Sequence, residues 1–231
     1  MKTMEEIRRA LERLSFEDRR VIGRWLQELD AGGSTEYGVS EPRVAYAETE
    51  PAYMTLEEFF EFEEHSEIRH EYVDGAVFAM SGPSVAHERI RHQLVMAFGK
   101  HVGRGPCQVF SASMQLLIRR ETDDACYYPD VMVDCRRDTW GQHFIRNPKL
   151  IVEILSPSTH LTDRREKLQN YRLIDSVEEY VLVSQDEHKL ILYRRAGGWR
   201  PQICTSVEAT AEFRSIGLAV PLAQIYDDVL A

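Results

Sequence analysis

Leu150-Ile151-Val152-Glu153-Ile154-Leu155 is an apolar run broken by a single carboxylate. A run this short and this continuous has the composition of a central β-strand covered on both faces. The segments around it fit that placement. Upstream, Gln108 to Arg119 and Tyr128 to Asp134 read as strands. Downstream, Asp163 with Glu166 forms a capping pair for a helix reaching about Ile174, followed by strands at Glu179 to Val183 and His188 to Arg195, with Gly197-Gly198 as a turn. Thr55 and Glu58 make a capping box for a short helix ending near His65. Tyr72 to Met80 reads as strand with a tight turn or bulge at Asp74-Gly75, and Ser84 caps a helix whose buried stripe is Ile90, Leu94 and Phe98. A weak last helix is expected over Leu222 to Leu230. This order predicts an α/β (α+β) fold, with a central mixed β-sheet flanked by helices.

The 231 residues, 43% hydrophobic and 29% charged, suit one globular domain with a modest appendage. That appendage is expected over residues 1–30, as a helical hairpin carrying Ile7, Leu11 and Leu14, then Val21, Ile22, Trp25, Leu26 and Leu29. Its charges are balanced, so it reads as a docking or dimerisation arm for a homodimer rather than as a nucleic-acid arm. Residues 31–53, with Gly-Gly-Ser-Thr and two prolines, read as a linker, and 54–231 as the main domain. The apolar runs are too short for a membrane span, and the polar start is unlike a signal peptide, so no membrane and a cytoplasmic location are expected. Four cysteines without a C-x-x-C pair suggest reduced thiols. A net charge of -10 excludes a broad basic surface, though not a local basic patch or a metal that could bind nucleic acid.

Carboxylates inside apolar strands are the informative anomalies, because an unpaired buried charge is expensive. Glu153 interrupts the central run, and Asp130 opens Val131-Met132-Val133 after Pro129. Each could be a structural residue paired to Arg or Lys. Together, on strands expected to be neighbours, they could also converge on one hard cation.

Tyr128-Pro129-Asp130-Val131-Met132-Val133, Leu150 through Ser156-Pro157-Ser158-Thr159, then Asp163, Lys167 and Tyr171, then Glu179 to Val183 together resemble the Uma-two family. This is a large bacterial group regarded as endonucleases of the PD-(D/E)XK superfamily. His70-Glu71-Tyr72-Val73-Asp74-Gly75 and Pro83-Ser84-Val85-Ala86-His87 are similar to the family's opening, so the resemblance runs from about Met54 to the C-terminus. It implies a restriction-endonuclease-like core and a Mg2+ (or Mn2+) ion held by Asp130 and Glu153, with Glu71 as an added acid. It also implies a nucleic-acid partner, DNA foremost, whose phosphodiester bonds are hydrolysed. The superfamily's lysine two residues after the Glu is here Leu155, and leucine can neither favour deprotonation of water nor balance negative charge. The family's Asp-x-x-x-Lys-x-x-x-Tyr pattern makes Lys167 the displaced substitute, on one helix face with Tyr171. An exposed lysine on an amphipathic helix is the bland alternative. His87 points along the Ile90 and Leu94 stripe and reads either as a satisfied core histidine or as a group contacting phosphate or orienting a carboxylate. Ser156 could cap the loop after the strand or bind phosphate. The competing function is a degenerate member of this fold that binds protein or nucleic acid without cleaving it.

Overall fold

The computed structural model describes residues 53–120, 123–155 and 166–229. The expected hairpin, nearly all of the linker, Ser156 and the start of the Asp163 helix lie outside the described residues. The elements are α1 (Leu56–Glu64), β1 (His70–Val73), β2 (Ala76–Ala79), α2 (Val85–Val102), β3 (Gln108–Ser111), β4 (Gln115–Ile118), β5 (Ala125–Tyr127) and β6 (Val131–Asp134). They continue with β7 (Phe144–Ile145), β8 (Leu150–Leu155), α3 (Leu168–Tyr171), β9 (Glu179–Ser184), β10 (Leu190–Arg194), β11 (Pro201–Cys204), β12 (Thr210–Phe213), β13 (Leu218–Pro221) and α4 (Leu222–Ile225).

The six-stranded sheet has the order β11-β10-β9-β8-β6-β3, with β8 parallel to β9 and antiparallel to β6. Every residue of β8 is buried, as its composition predicts. Side chains alternate across a strand. Leu150, Val152 and Ile154 therefore pack with Ile90, Leu94 and Phe98 of α2, while Ile151 and Leu155 pack on the other face with Leu116, Ile118, Tyr127 and Ile145. These last residues belong to a second sheet, β2-β1-β5-β4-β7, whose far face is covered by α1 through Leu56, Phe59, Tyr72 and Leu117. The layers thus run α1, second sheet, central sheet, α2. Glu153 shares the parity of Ile151 and Leu155 and so enters the layer between the two sheets.

Two of the three capping signals hold, while Asp163 of the third lies outside the described residues. Thr55 and Glu58 close a reciprocal box, and Ser84 accepts the His87 N–H while donating to Gln185. Asp74 and Gly75 both have positive φ, +48° and +87°, so Tyr72 to Met80 is a hairpin rather than one strand.

One expected strand is divided between sheets, and another begins three residues later than expected, after an unforeseen strand in the second sheet. Gln108 to Arg119 gives β3 in the central sheet and β4 in the second, with a turn at Ala112-Ser113-Met114 between them. Ala125–Tyr127 lies in the second sheet and Val131–Asp134 in the central one, so Tyr128-Pro129-Asp130 is the crossing. Proline has no N–H for a ladder bond, which suits it to such a break. The helix after β8 is shorter among the described residues than expected, as is the last one.

The expectation of four reduced thiols fails for one pair. Cys107 and Cys135 form a disulfide, leaving Cys126 and Cys204 as thiols. The β3–β6 register pairs Gln108 with Asp134, so the next residues out face each other across the sheet edge. Denatured, unreduced protein should therefore titrate two thiols, and reduction should reveal two more. Closing a loop with a sequence separation of 28 corresponds to roughly 3–4 kcal/mol in the chain-entropy account, so the reduced protein should melt at lower temperature. Four thiols without reductant would refute the cross-link.

Candidate active site

Glu153 is 4% exposed, in the middle of the most buried strand. Its Oε1 accepts the phenolic proton of Tyr171 at 2.8 Å and lies 3.3 Å from Lys167 Nζ. The same ammonium donates to Glu71 Oε1 at 2.8 Å. Lys167 and Tyr171 are four residues apart around α3, so one helical turn aims both at β8. Glu71 comes from β1 in the facing sheet, with the Tyr128 N–H directed at it from 3.5 Å. One ammonium therefore joins two carboxylates from two sheets in the interior. Lys167 is 5% exposed, which rules out the solvated-helix reading of its position.

The lysine rests 5.4 Å from the Tyr127 ring centroid, and Tyr127 is itself bonded to Asn170 and Glu166. Burial, then the nearby Glu153 charge, pushes the Tyr171 phenol well above its ordinary range, so it stays protonated and remains a donor to Glu153. Burial likewise pushes the Tyr127 phenol up.

Asp130 sits one residue before β6. Continuing the Val131↔Val152 pairing by one step sets it opposite Glu153. Its carboxylate lies along the strand end: Oδ2 accepts the Ile154 N–H at 2.7 Å, in place of a ladder carbonyl, and Oδ1 accepts from His87 Nε2 at 2.8 Å. His87 is held in the first turn of α2 by its own N–H on Ser84 Oγ. The His87 ring is thus satisfied by the Asp130 carboxylate, a contact that both readings of this histidine contain. The structure thus brings Glu71, Glu153, Lys167 and Tyr171 into one bonded group and ties Asp130 with His87 to the adjoining backbone. Leu155, at the superfamily's lysine position, is buried in the apolar layer between the sheets.

The donor chemistry bears on a metal. Among the described residues no group of three or more His, Cys, Asp or Glu side chains is assembled to hold one. Magnesium, however, is usually held by one or two carboxylates, with water and substrate phosphate oxygens completing its shell. The buried carboxylates of Asp130 and Glu153 are of that hard-oxygen type, with Glu153 sharing the lysine with Glu71.

A second buried network escaped the sequence reading. Glu63 of α1 accepts from the His70 N–H at 3.0 Å and from Tyr128 OH at 2.9 Å, and it pairs with the His70 ring at 2.9 Å. Gln115 donates to the same phenol at 2.9 Å. This network fixes the residue just before Pro129-Asp130 against α1. Only Tyr128's position beside that pair hinted at it.

The family profile Uma2, described as "Putative restriction endonuclease", matches residues 56–223. The chain belongs to the Uma2 family. All seven candidate residues, Glu71, His87, Asp130, Glu153, Ser156, Lys167 and Tyr171, lie inside the matched span. This Uma2 chain is 34% identical over 178 residues to the uncharacterized protein slr1290 of Synechocystis sp., covering 75% of this chain and 91% of that protein. It is 29% identical over 147 residues to sll1609 of the same organism, covering 62% and 82%. A solved structure described as a "putative nuclease belonging to DUF820", from Anabaena variabilis, has a TM-score of 0.64 at 19% identity, over 77% of this chain and 99% of its own. That likeness establishes the shared fold. The Uma2 chain accordingly has the mixed α/β architecture expected of it, shared with that structure.

Proposed function

We propose that the protein is a divalent-metal-dependent endonuclease that hydrolyses phosphodiester bonds, with DNA as substrate and Mg2+ or Mn2+ as cofactor. The observation that carries this reading is the buried Lys167 ammonium, shared by Glu71 and Glu153, with Asp130 bonded to the N–H of the residue after Glu153. A lysine held there restores the charge that Leu155 removed. Asp130 and Glu153 would hold the cation, which when bound supplies Lewis-acid polarisation of the scissile phosphate and eases deprotonation of water.

The chain's own residues do the rest. Lys167 balances the negative charge that develops on the phosphoryl oxygens. Tyr171 keeps Glu153 in one rotamer, and His87 with the Ile154 N–H does the same for Asp130. Glu71 positions the lysine. A cytoplasmic location goes with a DNA substrate, and no helix among the described residues is long and apolar enough to cross a membrane.

The buried Leu155 and the lack of a three-ligand cluster among the described residues favour a second reading, a binding module that no longer cleaves. Two measurements on the full chain separate them. Titration calorimetry with magnesium should show binding that is lost in Asp130→Asn, and a nicking assay on supercoiled plasmid should show magnesium-dependent cleavage that is also lost. Metal affinity equal in parent and mutant would overturn the cation site. Binding of DNA with no cleavage in either metal would leave the module reading standing.

A further inference from the structure

β1 and β2 carry one aromatic side chain that the packing leaves over. Phe78 is the cross-strand partner of Glu71, and opposed residues of an antiparallel pair project from the same face. That face is the inner one: Val73 and Ala76, of the same parity, point inward with Glu71, and Val73 packs into the layer between the sheets. Tyr72 and Val77 instead meet α1 on the outer face. Phe78 is thus on the inner face, beside the acid that holds Lys167, and is still 45% exposed. It belongs to none of the apolar clusters of the described residues. An apolar ring left this exposed beside that acid adds nothing to the packing of the described clusters.

A cation is fixed at the same rim. Arg69 is two residues before Glu71, and its guanidinium donates to the Ala112 carbonyl at 2.6 Å and lies 5.5 Å from the Tyr128 ring centroid. Tyr128 is two residues before Asp130, so Arg69 lies against the segment that carries Asp130. Of the acids of α1, Glu63 reaches this side by accepting from the Tyr128 hydroxyl. A guanidinium on one flank and an exposed aromatic ring on the other suit a phosphate and the base attached to it.

Resting on the nuclease reading, we propose that Phe78 stacks on an unpaired base of the substrate strand while Arg69 takes a backbone phosphate beside it. The preferred substrate is then single-stranded, or has an unpaired base next to the cleaved bond. A paired base inside a duplex does not offer its face to a protein ring, whereas an unpaired one does, whatever its identity.

Fluorescence anisotropy without divalent ions tests this on the full chain, using a labelled single strand of about 12 nucleotides and its duplex. Phe78→Ala should weaken single-strand binding about tenfold, the lower range of base–aromatic stacking, and leave duplex binding nearly unchanged. Phe78→Trp should bind like the parent, with its indole emission quenched by the single strand. Arg69→Ala should reduce the dependence of log affinity on log salt by about 0.7. Parental single-strand affinity in Phe78→Ala overturns the proposal and leaves the nuclease reading intact. A parent that binds no nucleic acid overturns both. A Phe78→Ala protein whose only change is a smaller oligomer on a sizing column also overturns it, and assigns the ring to a contact between protein chains.

Discussion

Lys167→Met is expected to lower the rate of DNA cleavage by roughly 10²–10³-fold, the scale of a lost electrostatic or acid–base group. Among the described residues the ammonium is bonded to both Glu71 and Glu153, at 2.8 and 3.3 Å, and it is buried with them. Removing it takes from the two carboxylates the cation they share. Magnesium affinity should therefore persist or rise, because a divalent ion relieves the repulsion that the ammonium had offset. The pair of readouts matters, since a lysine that merely held the fold together would lower rate and metal binding alike. Leu155 lies on the same face of β8 as Glu153, within the layer Lys167 enters. Leu155→Lys combined with Lys167→Met should accordingly recover part of the rate if charge at this place is what counts. Full cleavage by Lys167→Met, measured in single turnovers, would falsify the role assigned to the lysine.

What could be read in the sequence follows from how local each signal is. Glu153 and Asp130 stood out because a carboxylate among Ile, Val and Met needs a partner whatever the fold. The β8 strand and the α2 stripe were legible for the same reason, since both depend on residues a few positions apart. The pairing of Lys167 with Glu71 was not, because the two are 96 residues apart and meet only when two sheets stack. Spacing and the family pattern suggested that the lysine could reach the acids, yet its burial depends on β1 lying opposite. The division between sheets was hidden similarly. β4 and β6 are both wholly buried, so composition cannot tell which sheet either one joins. The Cys107–Cys135 bond needs the β3–β6 register, which no spacing rule supplies. Phe78 read as an ordinary strand residue because alternation says which side a residue faces but not whether anything covers it.

Glu179→Ala is expected to destabilise the fold by about 3–5 kcal/mol, the usual result of removing one partner from a buried charge pair. Glu179 is 1% exposed and its carboxylate receives four donors. Oε1 accepts from Arg194 Nε at 2.6 Å and from the Arg214 N–H at 3.0 Å. Oε2 accepts from the N–H of Ser215 at 2.8 Å and from its hydroxyl at 2.6 Å. One side chain thereby ties β9 to β10 and to the turn between β12 and β13. Alanine would leave a guanidinium and two backbone N–H groups without that acceptor, none of them placed to recover water easily. For a domain of this size the melting temperature should fall by roughly 10 °C. Glu179→Gln, which keeps one acceptor oxygen but no charge, should fall between the alanine variant and the parent. The register separates this loss from the chemistry: Glu179 pairs with Leu150 at the start of β8, whereas Glu153 pairs with Leu182 farther along. Below its melting transition the alanine protein should therefore cleave DNA at the parental rate. A stability change under about 1 kcal/mol would place these donors within reach of solvent, since groups that rehydrate freely lose little when an acceptor is removed. A rate loss matching that of Lys167→Met would instead mean that the two ends of the strand pair are mechanically coupled.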